Sequence, residues 1–400
     1  MSASTVMPGV NISAGWVPRP PDDYWLGDMV QAKRLYTPGQ IDRAGKTLTN
    51  PSASKDELTE AFSIVDNWRK AHAYPLELAR NTLNQRVAEI CPDAVIPERP
   101  IVSERLKRIE SIRDKLIREP KMNLFTMQDI GGCRAVLRGP EEVEKLLRSY
   151  ADVLDLKTTD YVASPRVSGY RSTHLVWRFR SQDSSTADYN NMRIEIQVRT
   201  ALQHTWATAV EIASTFTGQD LKSDHPKLQD PDLGPKWVRF FSLMGSAMAN
   251  REGGAPVRDT PADKGDLLRE LGRLTNDLRI QNLMKHWSKV TTIRGRRSNT
   301  GARLFLIVLR PHKTQWYLKV RPFSAKDADK AAQERIRLEK ESRETRGMQV
   351  VLVAVESIDM LRRAYPNYYA DTADFLKALE EALHGSAVAP LLLREFEAKR

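Results

Sequence analysis

The stretch Arg193-Ile194-Glu195-Ile196-Gln197-Val198-Arg199-Thr200 reads as a strand, with one carboxylate among apolar, strand-forming residues and an arginine a few positions on. Upstream, Met127-Gln128-Asp129-Ile130-Gly131-Gly132-Cys133-Arg134 repeats the arrangement with an aspartate. Between them lies Asp160-Tyr161-Val162-Ala163-Ser164-Pro165-Arg166-Val167-Ser168-Gly169-Tyr170-Arg171-Ser172-Thr173-His174. Working outward, Gly132–Leu137, Lys157–Val162, His174–Phe179 and Met192–Val198 read as strands. Glu141–Asp152, opened by Pro140, and Thr200–Phe216 read as helices. Strands mixed with helices predict an α/β or α+β catalytic core.

Upstream of that core, residues 103–118 read as a basic amphipathic helix. Leu106, Ile109, Ile112 and Leu116 form its apolar side, and Arg105, Lys107, Arg108, Lys115 and Arg118 surround it. Residues 54–100 read as two helices divided near Ala73-Tyr74-Pro75, and residues 1–53 as an irregular arm that docks through Trp16, Tyr24 and Trp25. Downstream, 251–264 reads as a surface linker and Asp266–Ser288 as one helix. Strands at Leu304–Leu309, Trp316–Val320 and Met348–Val355, a charged helix at Ala325–Arg343 and two last helices complete a separate C-terminal part. The tyrosines of Tyr365-Pro366-Asn367-Tyr368-Tyr369 read either as packing for the small sheet or as an exposed contact surface.

At 400 residues the chain has room for two or three domains, and 41% hydrophobic with 28% charged residues describes a soluble, globular class. The formal net charge of +11, if clustered, suits a polyanion such as nucleotide phosphate or RNA. Cys91 and Cys133 lack metal-ligand or disulfide-framework spacing, and no apolar run is long enough to span a bilayer. Met1–Pro21 is not patterned as a signal peptide. A cytoplasmic protein with no membrane partner is expected.

Two acids, a tyrosine after a glycine and many basic residues suit phosphoryl chemistry on a nucleotide with Mg²⁺. Such transfer relies on charge neutralisation and positioning more than on covalent help from the protein. Asp129 and Glu195 can converge on one sheet face to hold the metal, leaving one carboxylate to take a proton from an attacking hydroxyl. The plainer reading makes Asp129 a strand cap and Glu195 a solvated strand residue; Arg134 and Arg199 point instead to a charged cleft. Tyr170, beside guanidinium groups, suits stacking on a nucleobase, worth about 1–3 kcal/mol. His174 reads as either a substrate contact or a residue that orients a neighbour.

Together these segments resemble the synthetase domain of the RelA/SpoT alarmone synthetases, over residues 100–212. Arg105-Leu106-Lys107, Ser111-Ile112, Lys115 and Arg118 are similar to the family's ATP-binding helix. Asp129–Arg134 resembles its Asp strand, Asp160–His174 its acceptor loop and Glu195–Thr200 its Glu strand. The resemblance implies an α+β fold, a mixed sheet flanked by helices in a nucleotidyltransferase-like core at 101–250, with a separate small α/β C-terminal domain in 265–400. It implies transfer of the β,γ-pyrophosphate of ATP to a ribose 3′-hydroxyl, with AMP released and Mg²⁺ as cofactor.

By that resemblance Asp129 and Glu195 are the catalytic pair and the metal ligands. Arg105, Lys107, Ser111, Lys115, Arg118 and Arg134 bind ATP, and Arg166, Tyr170, Arg171, His174, Gln197 and Arg199 bind the acceptor. The expected acceptor is GDP or GTP. Arg166 and Ser168 stand where the family often carries Lys and Asn, which changes the geometry of the charge and loses an amide. With the basic run Arg294-Gly295-Arg296-Arg297 and the net charge, this favours the alternative acceptor, the tRNA 3′ end, in a translation-blocking toxin. A third reading, a weakly catalytic nucleotide sensor, fits poorly with the presence of both acids. The hydrolase module's paired His-Asp motif is not recognisable, so a stand-alone, synthesis-only member is expected. Its C-terminal domain would restrain the synthetase in an antitoxin-like way or recruit a protein partner; a homo-oligomer is the other assembly considered.

Overall fold

The computed structural model describes residues 32–384 apart from 94–99, 152, 182, 222–227, 229, 295–301, 303, 313–314, 343–344, 346 and 356–357. Helices α1 (Pro38–Thr49), α2 (Lys55–Ala71) and α3 (Ala73–Ile90) come first. Thr37 and Ser54 close capping boxes with Gln40 and Glu57 at the first two. The core follows as β1 (Ile101–Leu106), α4 (Ile109–Arg118), β2 (Gly131–Leu137), α5 (Pro140–Arg148), β3 (Leu156–Asp160), β4 (Thr173–Arg178), β5 (Arg193–Thr200) and α6 (Ala201–Thr217). Then come α7 (Leu233–Glu252), α8 (Lys264–Asp277), α9 (Ile280–Val290) and β6 (Thr291–Arg294). The last elements are β7 (Leu304–His312), β8 (Gln315–Phe323), α10 (Ala328–Ser342), β9 (Gln349–Ala354), α11 (Ile358–Ala364) and α12 (Ala373–His384).

The described strands form one mixed sheet in the order β3-β4-β5-β2-β1-β9-β7-β8-β6. β2 and β5 run parallel within it, with Gly132 opposite Glu195 and Arg134 opposite Gln197. β1 runs antiparallel to β2, and β4 antiparallel to β5. The alternation of Arg193–Thr200 sends Ile194, Ile196 and Val198 into a core with Cys133, Ala135 and the apolar faces of α3 and α5. That leaves Glu195 and Gln197 for the opposite face. The expected α+β class, a mixed sheet flanked by helices, is the fold observed.

Several local expectations change. Residues 103–118 are not one helix: Arg105 and Leu106 lie in β1, and α4 starts at Ile109. Strand conformation wins at Ile101–Leu106 because β2 pairs along one edge and β9 meets the other at Glu104 and Arg105. The arm contains α1; Trp16, Tyr24 and Trp25 lie outside the described residues, as does the run Gly295–Arg297. The helix expected at Asp266–Ser288 is broken by Arg279, in the left-handed region at φ 49°. Residues 251–264 run over the surface except at Val257, which is buried and whose N–H donates to Ser246 Oγ at 2.8 Å.

The C-terminal strands build a core on Phe305, Ile307, Val351, Leu361 and Tyr365 that also takes in Ile101 of β1 and Val136 of β2. They also continue the central sheet through β9, while Phe375 and Leu379 of α12 join Trp206 of α6 and Phe241 of α7 in a shared apolar cluster. Tyr365, Tyr368 and Tyr369 are buried in this packing, so the reading of them as an exposed contact surface does not hold.

Candidate active site

The aspartate end is built where β1 meets the bend before β2. The Lys107 N–H donates to the Ile130 carbonyl at 2.8 Å, bringing the end of β1 beside Asp129. Gly131 starts β2 without a side chain because a Cβ there would stand 2.9 Å from Ile194 Cδ1. Helix α4 buries Ile109, Ile112 and Leu116, which turns Lys115 towards Asp129. Lys107 Nζ lies 2.5 Å from Asp129 Oδ2 and Lys115 Nζ 3.0 Å from Oδ1. Burial works to raise the Asp129 pKa, but the two ammonium groups outweigh it and hold the carboxyl well below its ordinary value. Burial also lowers the Lys107 pKa, against the attraction of Asp129.

Glu195 sits one strand over. Gln197 Nε2 donates to its Oε2 at 2.7 Å, and His174 Nδ1 lies 3.0 Å from its Oε1. Burial pushes the Glu195 pKa up; the His174 and Gln197 hydrogen bonds more than offset that, and the group sits below the ordinary glutamate value despite the nearby Asp129 charge. Tyr170 OH lies 2.8 Å from His174 Nε2.

Asp129, Glu195, Lys107, Gln197, Arg105 and Arg134 line one cleft, together with Tyr365 from the C-terminal section. Arg105 reaches it from strand β1, not from a helix. Tyr365 donates to the Glu104 carbonyl at 2.8 Å, and burial pushes its phenol up to about 12. Lys115 also lines an open groove with Lys121, Asn123, Gln128 and Arg193.

The remaining expected residues are more dispersed. Ser111 is partly exposed on α4, and Arg118 reaches Asp220 at 3.8 Å. Arg166 lies 4.5 Å over the Tyr161 ring and donates to its hydroxyl at 2.9 Å. Ser168 is buried, and its hydroxyl has no hydrogen-bond partner among the described residues. Arg171 is spent inside the protein, donating to the carbonyls of Val162 and Ala255, and burial lowers its pKa to about 10. Arg199 is buried with Nη2 2.5 Å from His204 Nδ1, whose ring meets the Arg363 carbonyl at 3.3 Å. Burial and the neighbouring Arg134 bring the Arg199 pKa to about 9.

Sequence reasoning missed Tyr365 and His204 as neighbours of the site. The tyrosine cluster was a signal for Tyr365, but its place at the cleft follows from β9 joining β1, a long-range pairing. For His204, three residues into a helix after the Glu strand, there was no signal apart from proximity to Arg199.

The sequence profile of the region found in RelA/SpoT proteins matches residues 104–218. The GTP pyrophosphokinase YwaC of Bacillus subtilis is 30% identical over 167 residues, covering 39% of this chain and 78% of YwaC. The GTP pyrophosphokinase YjbM of the same organism is 33% identical over 112 residues, 27% of this chain and about half, 52%, of YjbM. A crystal structure of small alarmone synthetase 1 from B. subtilis, bound to its product pppGpp, aligns at 22% identity and TM-score 0.36, covering 45% of this chain and 90% of that one.

Proposed function

The chain belongs to the RelA/SpoT family, and from that premise we propose that it is a pyrophosphotransferase that moves the β,γ-pyrophosphoryl group of ATP to the 3′-hydroxyl of GDP or GTP. The observation that carries this reading is the cleft itself: two carboxylates, Asp129 and Glu195, ringed by Lys107, Arg105 and Arg134, with Lys115 on Asp129.

Asp129, in the bend before β2, and Glu195, on the adjacent β5, are hard oxygen donors close enough that the Asp129 charge works against ionisation of Glu195. Such a pair suits Mg²⁺, which takes one or two carboxylates and shares the rest of its shell with water and phosphate. The bound ion would neutralise charge on the triphosphate. Lys107 and Lys115, now on Asp129, would pass to phosphate oxygens as ATP enters, joined by Arg105 and Arg134.

In the reaction the acceptor's 3′-oxygen forms a bond to the β-phosphorus. The bond between that phosphorus and the α,β-bridging oxygen breaks, and AMP leaves with the bridging oxygen. Glu195, kept ionised by His174 and Gln197, takes the 3′-hydroxyl proton. The C-terminal section restrains this chemistry by placing Tyr365 against the nucleotide-facing wall. Among the described residues no helix is long and apolar enough to cross a membrane, and both cysteines are free and buried; a cytoplasmic setting supplying ATP suits these features. The test is AMP release from ATP with GDP or GTP present: wild type turns over and Glu195→Ala does not, whereas equal, near-zero turnover in both would favour a sensor.

A further inference from the structure

Helices α2 and α3 face α10 and β9 across the end of β1 without closing on them. A cavity of about 340 Å³ lies between, and Ala73, Leu106, Ala332, Ile336 and Leu352 supply much of its apolar wall. Packed interiors carry few voids larger than a water molecule. Ligand pockets begin at about 300 Å³, are mostly apolar and favour the seams between structural units. The cavity has the second character. None of its lining residues lines the cleft that holds Asp129 and Glu195.

Two arginines give the cavity a chemical sense. Arg69 is 1% exposed, and its Nη atoms are spent on Glu339, Asp66 and the Lys107 carbonyl. Its Nε–H is buried and has no hydrogen-bond partner among the described residues. Arg108, half-buried at the start of α4, forms no ion pair among the described residues, and its Nε–H is orphaned in the same way. An orphaned buried donor costs about 1–3 kcal/mol, and more on a charged group, until an acceptor reaches it. The wall offers no matching acceptor: Glu339 is held by Arg69 and Arg335, Glu77 is buried and already engaged, and Asp329 is exposed. Both unmet buried groups on the described wall are therefore donors, and both sit on cations.

We infer that this cavity is a binding site for a small carboxylic acid. The carboxylate takes the Nε–H donors of Arg69 and Arg108 and balances the Arg108 charge, while the apolar body lies between α3 and α10. A bare inorganic anion would leave the apolar wall wet, and a neutral oil would leave both guanidinium donors unmet. Occupancy ties α10 to the N-terminal helices, one residue from Lys107, whose ammonium holds Asp129. The site stands independently of the reaction proposed above.

Octanoate is the probe. Titrated calorimetrically into the full chain, it should bind one to one and should not be displaced by inorganic phosphate. Octanol, with the same body and no charge, should bind at least about tenfold more weakly. Arg108→Gln, which removes one donor and the unpaired charge, should weaken octanoate at least about tenfold. Ala332→Phe fills the space from α10 and should abolish the heat of binding. Octanoate should also raise the melting midpoint of wild type more than that of either variant.

Equal affinity for octanol would reduce the cavity to an apolar void, and displacement by phosphate would remove the apolar body from the recognition. Octanoate binding unchanged in both variants would place it elsewhere. Each of these results overturns the inference, as does the absence of binding to wild type by about 1 mM octanoate. None of the readouts requires turnover, so failure of the proposed reaction would leave them standing.

Discussion

Tyr365 gives its hydroxyl hydrogen to the main-chain carbonyl of Glu104, which lies 261 positions earlier, at 2.8 Å. The contact pins the C-terminal turn to the strand that carries Arg105 into the cleft. Tyr365→Ala should therefore raise the rate of AMP formation several-fold even as it costs about 3 kcal/mol of stability through the lost ring. A steady-state assay beside a urea titration reads both. An unfolding loss with no gain in rate would contradict the restraint. Deleting everything after residue 290 is a poorer test, because it strips β9 from β1 and α12 from the α6–α7 cluster.

Glu339 on α10 grips Arg69 on α2 with both oxygens, each 3.1 Å from a guanidinium nitrogen, and the group is buried. Arg335 adds a bond to Glu339 at 2.8 Å, and Asp66 sits 3.3 Å from both arginines. Removing one charge leaves the others uncompensated. Glu339→Ala should cost about 3–5 kcal/mol in urea unfolding, and the Arg69→Met, Glu339→Met pair clearly less than the two single changes summed. A loss below about 1 kcal/mol for Glu339→Ala would show that the quartet does not hold these helices together.

Much of the site was legible because its residues lie on strands whose pattern is local. Ile194, Ile196 and Val198 announced the buried face of β5 and thereby put Glu195 and Gln197 on the other. The misreading at 103–118 has a physical origin: Leu106, Ile109, Ile112 and Leu116 keep helical spacing across a chain that changes conformation at Lys107 and Arg108. The partner that makes Ile101–Leu106 an internal strand, β9, lies some 250 residues away and leaves no mark in the local sequence. The burial of Tyr170 and Arg171 was hidden for the same reason, since α7 and residues 251–264 meet their loop from afar.

Asp129 has a folded-state pKa below its unfolded value of about 4, so its ionised form contributes stability above that pH. The contribution is lost as pH falls through the depressed folded value. The unfolding free energy of wild type should therefore exceed that of Asp129→Asn most near neutrality, and the gap should narrow as pH drops from about 5 towards 2. A gap that stays constant over that range would mean that the Lys107 and Lys115 pairs add nothing to folding.

Gly169 combines a left-handed backbone with direct contact to the Phe241 carbonyl. Gly169→Ala should destabilise the protein by about 2 kcal/mol or more and lower turnover by shifting Tyr170. Thermal melts and the AMP assay check it; a variant as stable as wild type would show that the loop is not seated on α7 as described.

The decisive experiment incubates the purified full chain with Mg²⁺ and ATP labelled in its γ-phosphate, offering GDP, GTP or deacylated tRNA in parallel. Label should appear on the guanosine nucleotide with equimolar AMP, and Glu195→Ala should abolish both. Label on tRNA alone would contradict the assigned acceptor, and no AMP with any acceptor, from wild type and Tyr365→Ala alike, would contradict the reaction.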